Sequence, residues 1–272
     1  RDFEVDAMVE LMIGRKLSTM YPIRDVRMGE EVLRAQGLCG SIFEDVSFTL
    51  HHGEVLGIFG LVGSGRTELV RALFGADGLK GGSVNIAGKA VRIHSPYQGI
   101  QHGLALIPEN RKEQGLILEK SIGQNMTMCS LKKTNRPRGI LNRSREKTLV
   151  DRLVRELSIK AENTALPVSS LSGGNQQKVV IAKWLATDSQ VLLMDEPTRG
   201  VDVGAKVEIY QIINALAARG VGILMISSEL NEIIGMCDRV LVIDKGRCRG
   251  ILNKADMNEM SIMKLVVGGK AV

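Results

Sequence analysis

The run Gly60-Leu61-Val62-Gly63-Ser64-Gly65-Arg66-Thr67 decides how the rest of the chain is read. Before it stands Glu54-Val55-Leu56-Gly57-Ile58-Phe59, an apolar run of strand length. After it comes Glu68-Leu69-Val70-Arg71-Ala72-Leu73-Phe74, with apolar residues at helical spacing. Strand, glycine-rich loop and helix, in that order, are the setting in which a backbone cradles phosphate. Gly60, Gly63 and Gly65, with Ser64 between them, let the chain curl so that successive N–H groups converge on an anion. The helix that follows turns its positive end to the same point. Thr67 is placed for its hydroxyl to ligate Mg²⁺, and Arg66 stands where the pattern usually has lysine.

Downstream, Val191-Leu192-Leu193-Met194 is a continuous apolar run that delivers Asp195 and Glu196 at its carboxyl end. In open α/β sheets that edge is where ligands bind. Asp195 is placed to hold Mg²⁺, directly or through water, and Glu196 to orient or deprotonate an attacking water. Ile223-Leu224-Met225-Ile226 and Val240-Leu241-Val242-Ile243 are further runs of the kind that form parallel strands buried on both faces. Helices alternate with them: Ile209, Ile212, Ile213 and Leu216 make a stripe over 203–218, stopped by Gly220. The expected class is α/β with a mainly parallel core sheet.

Short alternating segments over 31–35 and 43–50, and a hairpin over 81–89, predict an antiparallel β-subdomain beside the phosphate-loop strand. From about 120 to 185 the chain turns helical and more charged, with Leu149, Leu153, Val154 and Leu157 on one expected helix face. This predicts an inserted helical subdomain. Residues 1–30 read as a linker or arm entering from a preceding domain, with a short helix between Asp6 and Leu17, and 31–272 as the domain proper. The chain begins at Arg1 rather than Met, and a piece of something longer is expected.

Composition narrows the function classes. Aromatic residues are 3% of the 272, too few for base-stacking platforms along a single strand of nucleic acid. The net charge of +6 suits nucleic acid, an anionic membrane surface or nucleotide phosphate equally. No basic run singles out nucleic acid: Asn135-Arg136-Pro137-Arg138 is the nearest and reads as a solvated loop. Cys39, Cys129, Cys237 and Cys248 lack metal-ligand spacing and read as free thiols in a reducing compartment. No apolar run approaches the ~20 residues of a membrane-spanning helix.

Leu171-Ser172-Gly173-Gly174-Asn175-Gln176-Gln177-Lys178 opens a helix with a serine and two glycines, a second anion-binding helix end in one chain. Lying between the phosphate loop and the Asp195–Glu196 strand end, it resembles the signature motif of ABC-transporter ATPases. The phosphate loop then matches Walker A, 191–195 Walker B, and Gly200-Val201-Asp202 the D-loop. The run from Asp195 to Lys206 is similar to the second of two tandem nucleotide-binding domains in sugar importers of the ribose, galactose and xylose type. Residues 1–22, with Gly14-Arg15-Lys16-Leu17 and Tyr21-Pro22, resemble the segment joining those domains.

The resemblance implies a P-loop NTPase fold, ATP and Mg²⁺ as cofactors, and a partner nucleotide-binding domain paired head to tail. Ser172, Gly173, Gly174 and Gln176, with Asp202, would then complete the nucleotide site of that partner. It implies transmembrane permease subunits, indirectly a periplasmic solute-binding protein, and a peripheral place on the cytoplasmic face of the inner membrane. It also puts Glu109 at the Q-loop position, as a catalytic and metal-site residue, and Glu229 at the switch-histidine position. With Arg66 bulky and planar where lysine is compact, and an acid facing the terminal phosphate, weak turnover at the chain's own site is expected. Phe43 is the nearest candidate for an aromatic stacked on adenine, and equally a core residue. The competing readings are a nucleotide-responsive regulatory module without transport, and an ABC-type ATPase on nucleic acid. The latter lacks a coiled-coil insertion or basic arm here.

Overall fold

A computed structural model describes residues 20–22, 24, 28–135 and 140–267. Its centre is a six-stranded sheet in the order β10-β9-β3-β8-β7-β6. These are β3 (Val55–Phe59), β6 (Leu104–Ile107), β7 (Val191–Asp195), β8 (Gly222–Ile226), β9 (Arg239–Asp244) and β10 (Arg247–Asn253). The first five run parallel, and β10 folds back antiparallel on β9. Every residue of β3, β6, β7 and β8 is buried, as uninterrupted apolar runs require when both sheet faces are covered.

Covering helices are α1 (Arg66–Phe74), α2 (Pro96–Gln101), α3 (Ile122–Thr127), α4 (Leu131–Thr134), α5 (Arg143–Glu156), α6 (Gly173–Leu185), α7 (Val203–Ala218), α8 (Leu230–Met236) and α9 (Glu259–Val266). From α3 to the first turns of α6 they form the expected helical insertion. A capping box between Ser121 and Gln124 starts α3, and Asn142 caps α5. On α5 the buried positions are Val150, Leu153 and, at its end, Leu157, while Leu149 and Val154 sit half-buried on the flanks. The buried face is thus the expected one, with Leu153 and Leu157 at its centre and Val150 added at its edge.

The antiparallel subdomain is a separate four-stranded sheet in the order β2-β1-β4-β5, from β1 (Glu31–Cys39), β2 (Val46–His51), β4 (Gly81–Ile86) and β5 (Lys89–Val91). Ala87 and Gly88, both at positive φ, make the tight turn between β4 and β5. β2 begins at Val46 and not at Phe43, because Asp45 takes a left-handed φ of 54° and ends the extended run.

The expected Asp6–Leu17 helix lies outside the described residues, as does most of the 135–138 loop. Tyr21, Pro22 and Arg24 pack against the later part of the chain. The Tyr21 ring lies 5.3 Å from that of Tyr210 on α7, and the Pro22 carbonyl accepts from the Asn214 amide at 2.7 Å. Arg24 pairs with Asp238.

Candidate nucleotide-phosphate site

The phosphate loop leaves the end of β3 and is held from behind by backbone. A Cβ on Gly60 would stand 2.1 Å from the Ile243 carbonyl oxygen, so only glycine lets the loop pass over β9. The Gly246 amide donates to the Ser64 carbonyl at 3.0 Å. Gly65, at φ 98°, is the left-handed step from which α1 starts, and no side chain caps that helix. Its first N–H groups therefore remain available to an anion.

Residues 62–68 line a cleft of about 780 Å³, which Gly60 supports from behind without bordering it. Of the residues singled out in the sequence, Gly63, Ser64, Gly65, Arg66, Thr67, Glu109, Asp195, Glu196 and Glu229 all border it. Asp195 is 2% exposed at the end of β7, and burial, first of all, pushes its carboxyl up to about 6, the nearby Thr67 hydroxyl opposing. Its Oδ1 and the hydroxyl of Ser64 are buried without a partner. An orphaned carboxylate oxygen beside a threonine hydroxyl is a hard-oxygen donor set of the kind Mg²⁺ takes, and the residues fit that ion.

Glu196 follows at φ 50°, a conformation that costs a non-glycine residue about 1–3 kcal/mol and clusters at functional sites. Its Oε2 accepts from the Ser228 hydroxyl at 3.1 Å, and its Oε1 lies 4.0 Å from Arg66 Nη1. Burial raises the Glu196 carboxyl above the usual range, Ser228 and Arg66 opposing, which suits a proton acceptor. The Arg66 guanidinium also donates to the Ser227 carbonyl at 3.2 Å, bridging phosphate loop and β8. Burial pulls its own pKa down.

Several expected placements are corrected. Phe43 is 3% exposed, and its ring covers Gly40 (2.2 Å from where a Cβ would stand), so no face is left for a base. Gln176 is buried, its amide donating to the Leu171 carbonyl at 3.0 Å inside the helical insertion. Asn175, one residue earlier, is the half-exposed side chain and donates to the Ser172 hydroxyl at 3.0 Å. Asp202, expected at a partner's site and not at this one, is exposed and caps α7, accepting from the Ala205 amide at 2.9 Å. Glu229 borders the cleft but pairs with Lys206, which offsets the charge expected to repel phosphate. The residue that touches Glu196 from the β8 end is Ser228. Its position just past the apolar run Ile223–Ile226 was the available signal. Glu109 pairs with Arg199 across the mouth.

Ser172, Gly173 and Gly174 open α6 away from this cleft; none of them lines it. Ser172 is exposed and makes no capping bond, leaving the first turn of α6 open to an anion from outside. Gly174 packs on α7, where a Cβ would stand 2.5 Å from that of Ala205. Arg111, which sequence reasoning missed, ties this helix start to the D-loop. It donates to the Arg199 and Gly200 carbonyls at 2.7 and 2.8 Å and lies against Gly173.

The chain is 48% identical over 270 residues to the ribose import ATP-binding protein RbsA of Geobacillus kaustophilus, covering 99% of this chain and 54% of that protein. Against the Bacillus subtilis protein of the same name the figures are 46% over 269 residues, 98% and 54%. The chain thus spans about half the length of these relatives. Among solved structures, the ADP conformation of MJ1267, an ATP-binding cassette of an ABC transporter, superposes with a TM-score of 0.72 at 19% identity over 88% of this chain and all of that one. A nucleotide-free cassette gives 0.71 at 21% identity, covering 89% and 97%. Both speak for the fold. The family profile described as ABC transporter matches residues 43–199, more than half the chain, and the chain belongs to that family.

Proposed function

We propose that this chain is the second, C-terminal nucleotide-binding domain of a tandem ATPase that energises a sugar importer, with residues up to about 30 as the joining segment and 31–272 as the domain. The likeness to ribose import proteins over half their length supports the tandem placement and a pentose-type cargo. ATP occupies the cleft with its phosphates on Gly60–Thr67, and Mg²⁺, when bound, neutralises phosphate charge beside Thr67 and Asp195. Glu196, held by Ser228, accepts the proton of an attacking water. Arg66 spends its guanidinium on Glu196 and the Ser227 carbonyl, so its charge is shared with the base it should leave free, and turnover at this site is slow.

The observation that carries the reading is the separation of Ser172–Gly174 from the chain's own cleft: an open helix end facing outward is half of a site that a partner domain completes. Permease subunits dock near Glu109 and the helical insertion, and a periplasmic solute-binding protein acts through them. The assembly sits peripherally on the cytoplasmic face of the inner membrane; among the described residues no helix is long and apolar enough to cross a membrane. The test is the full tandem protein with its permease. Replacing Ser172 with Arg there should abolish most ATP turnover while nucleotide binding to this chain's own cleft persists. Normal turnover in that variant would refute the division of labour.

A further inference from the structure

Glu232, on α8, is fully buried (0% exposed) and takes no part in the chemistry above. Its Oε1 accepts from the hydroxyls of Thr198 and Tyr210, its Oε2 from that of Ser227 at 2.6 Å, and Lys206 Nζ lies 3.6 Å away. A buried carboxylate is tolerated only when its lone pairs are filled in this way, so the three hydroxyl donors and the acid are fixed together, with the Lys206 charge close by. These partners come from separate segments in and behind the cleft wall. Thr198 belongs to the loop after β7, and Lys206 to the first turn of α7; both border the cleft. Ser227 directly follows β8; its carbonyl anchors Arg66, and its neighbour Ser228 holds Glu196.

Thr198 and Lys206 of the cleft wall are therefore registered directly on a single carboxylate that does not itself border the cleft, and Arg66 and Glu196 indirectly, through Ser227 and its neighbour Ser228. Tyr210 adds a route from behind, since its ring packs, tilted by 40°, against that of Tyr21. We propose that Glu232 is a positioning residue for the terminal-phosphate end of the cleft, setting the preference for ATP over ADP. The assignment rests on the cleft being the ATP site. It touches the γ-phosphate only through Ser227, Ser228, Thr198 and Lys206, and leaves the Gly63–Gly65 cradle that holds the inner phosphates to its own backbone.

The experiment is titration of the full chain, in Mg²⁺, with fluorescent N-methylanthraniloyl ATP and the matching ADP, alongside thermal melting. Glu232→Gln keeps the shape but puts an amide donor among donors. It should weaken ATP about tenfold while ADP changes less than about twofold. Tyr210→Phe deletes one donor from a residue that does not border the cleft, and should shift the same ratio by about threefold with the fold kept. If ATP and ADP weaken together in step with the melting point, Glu232 is merely structural and the proposal fails. An unchanged ratio in both variants overturns it as well. A wild-type chain that binds neither nucleotide brings down the ATP reading itself and this inference with it.

Discussion

Replacing Asp195 with Asn should make the nucleotide-free protein more stable. The carboxyl is 2% exposed, and burial raises it from 3.8 to about 6. A rise of about two pH units corresponds to about 3 kcal/mol of disfavour for the ionised form in the folded chain. The sign follows from linkage. Because the folded pKa lies above the unfolded one, the penalty is full above about pH 6. It shrinks as the folded chain takes up a proton between about 6 and 3.8, and is absent below 3.8. The amide keeps the shape and can still accept from Thr67. In EDTA at pH 8 the variant should therefore melt at least about 5 °C above wild type, and the gap should close by pH 4. Mg-ATP should reverse the order, stabilising wild type far more than a variant without the metal-binding oxygen. Scanning calorimetry at the two pH values, with and without Mg-ATP, measures all of this. A variant no more stable at pH 8, or a gap undiminished at pH 4, would show that burial of Asp195 does not carry the cost assigned to it.

Two further substitutions probe the packing of Phe43 and of Gly174. Phe43→Ala should cost about 3–5 kcal/mol in urea unfolding and leave the ratio of ATP to GTP affinity as it was; a changed ratio would return the ring to the nucleotide. Gly174→Ala puts a methyl 2.5 Å from the Ala205 Cβ and should cost about 1–3 kcal/mol by separating α6 from α7, and an unmoved urea midpoint would contradict that contact.

The parts of the molecule that were legible in the sequence are those where residue type and backbone demand coincide. The buried strands announce themselves as uninterrupted aliphatic runs, and Gly60 and Gly65 sit where a Cβ or a negative φ is forbidden. The site's finer grain was hidden for a different reason. Arg111 works on two backbone carbonyls far along the chain, and a carbonyl leaves no trace in residue type. Ser228 was passed over for its charged neighbour Glu229, because nothing local says which of two adjacent side chains turns inward. Gln176 resembles a ligand contact by position, but the helix phase that buries it depends on where α6 begins. Glu232 looks like any helical acid until three hydroxyls and an ammonium from other segments meet it.

The phosphate loop's strand is completed by neighbours that the ribosome makes much later. β3 lies between β8 and β9, with Phe59 opposite Val242, and the loop itself is closed by the Gly246 amide. A nascent chain that has reached Thr67 thus holds Val55–Phe59 with neither flanking strand in existence. At ordinary synthesis rates the wait for residue 246 is on the order of ten to forty seconds. Throughout that interval an aliphatic segment with unpaired edges is exposed in the cell, which makes it the part of this polypeptide that a chaperone would have to shelter.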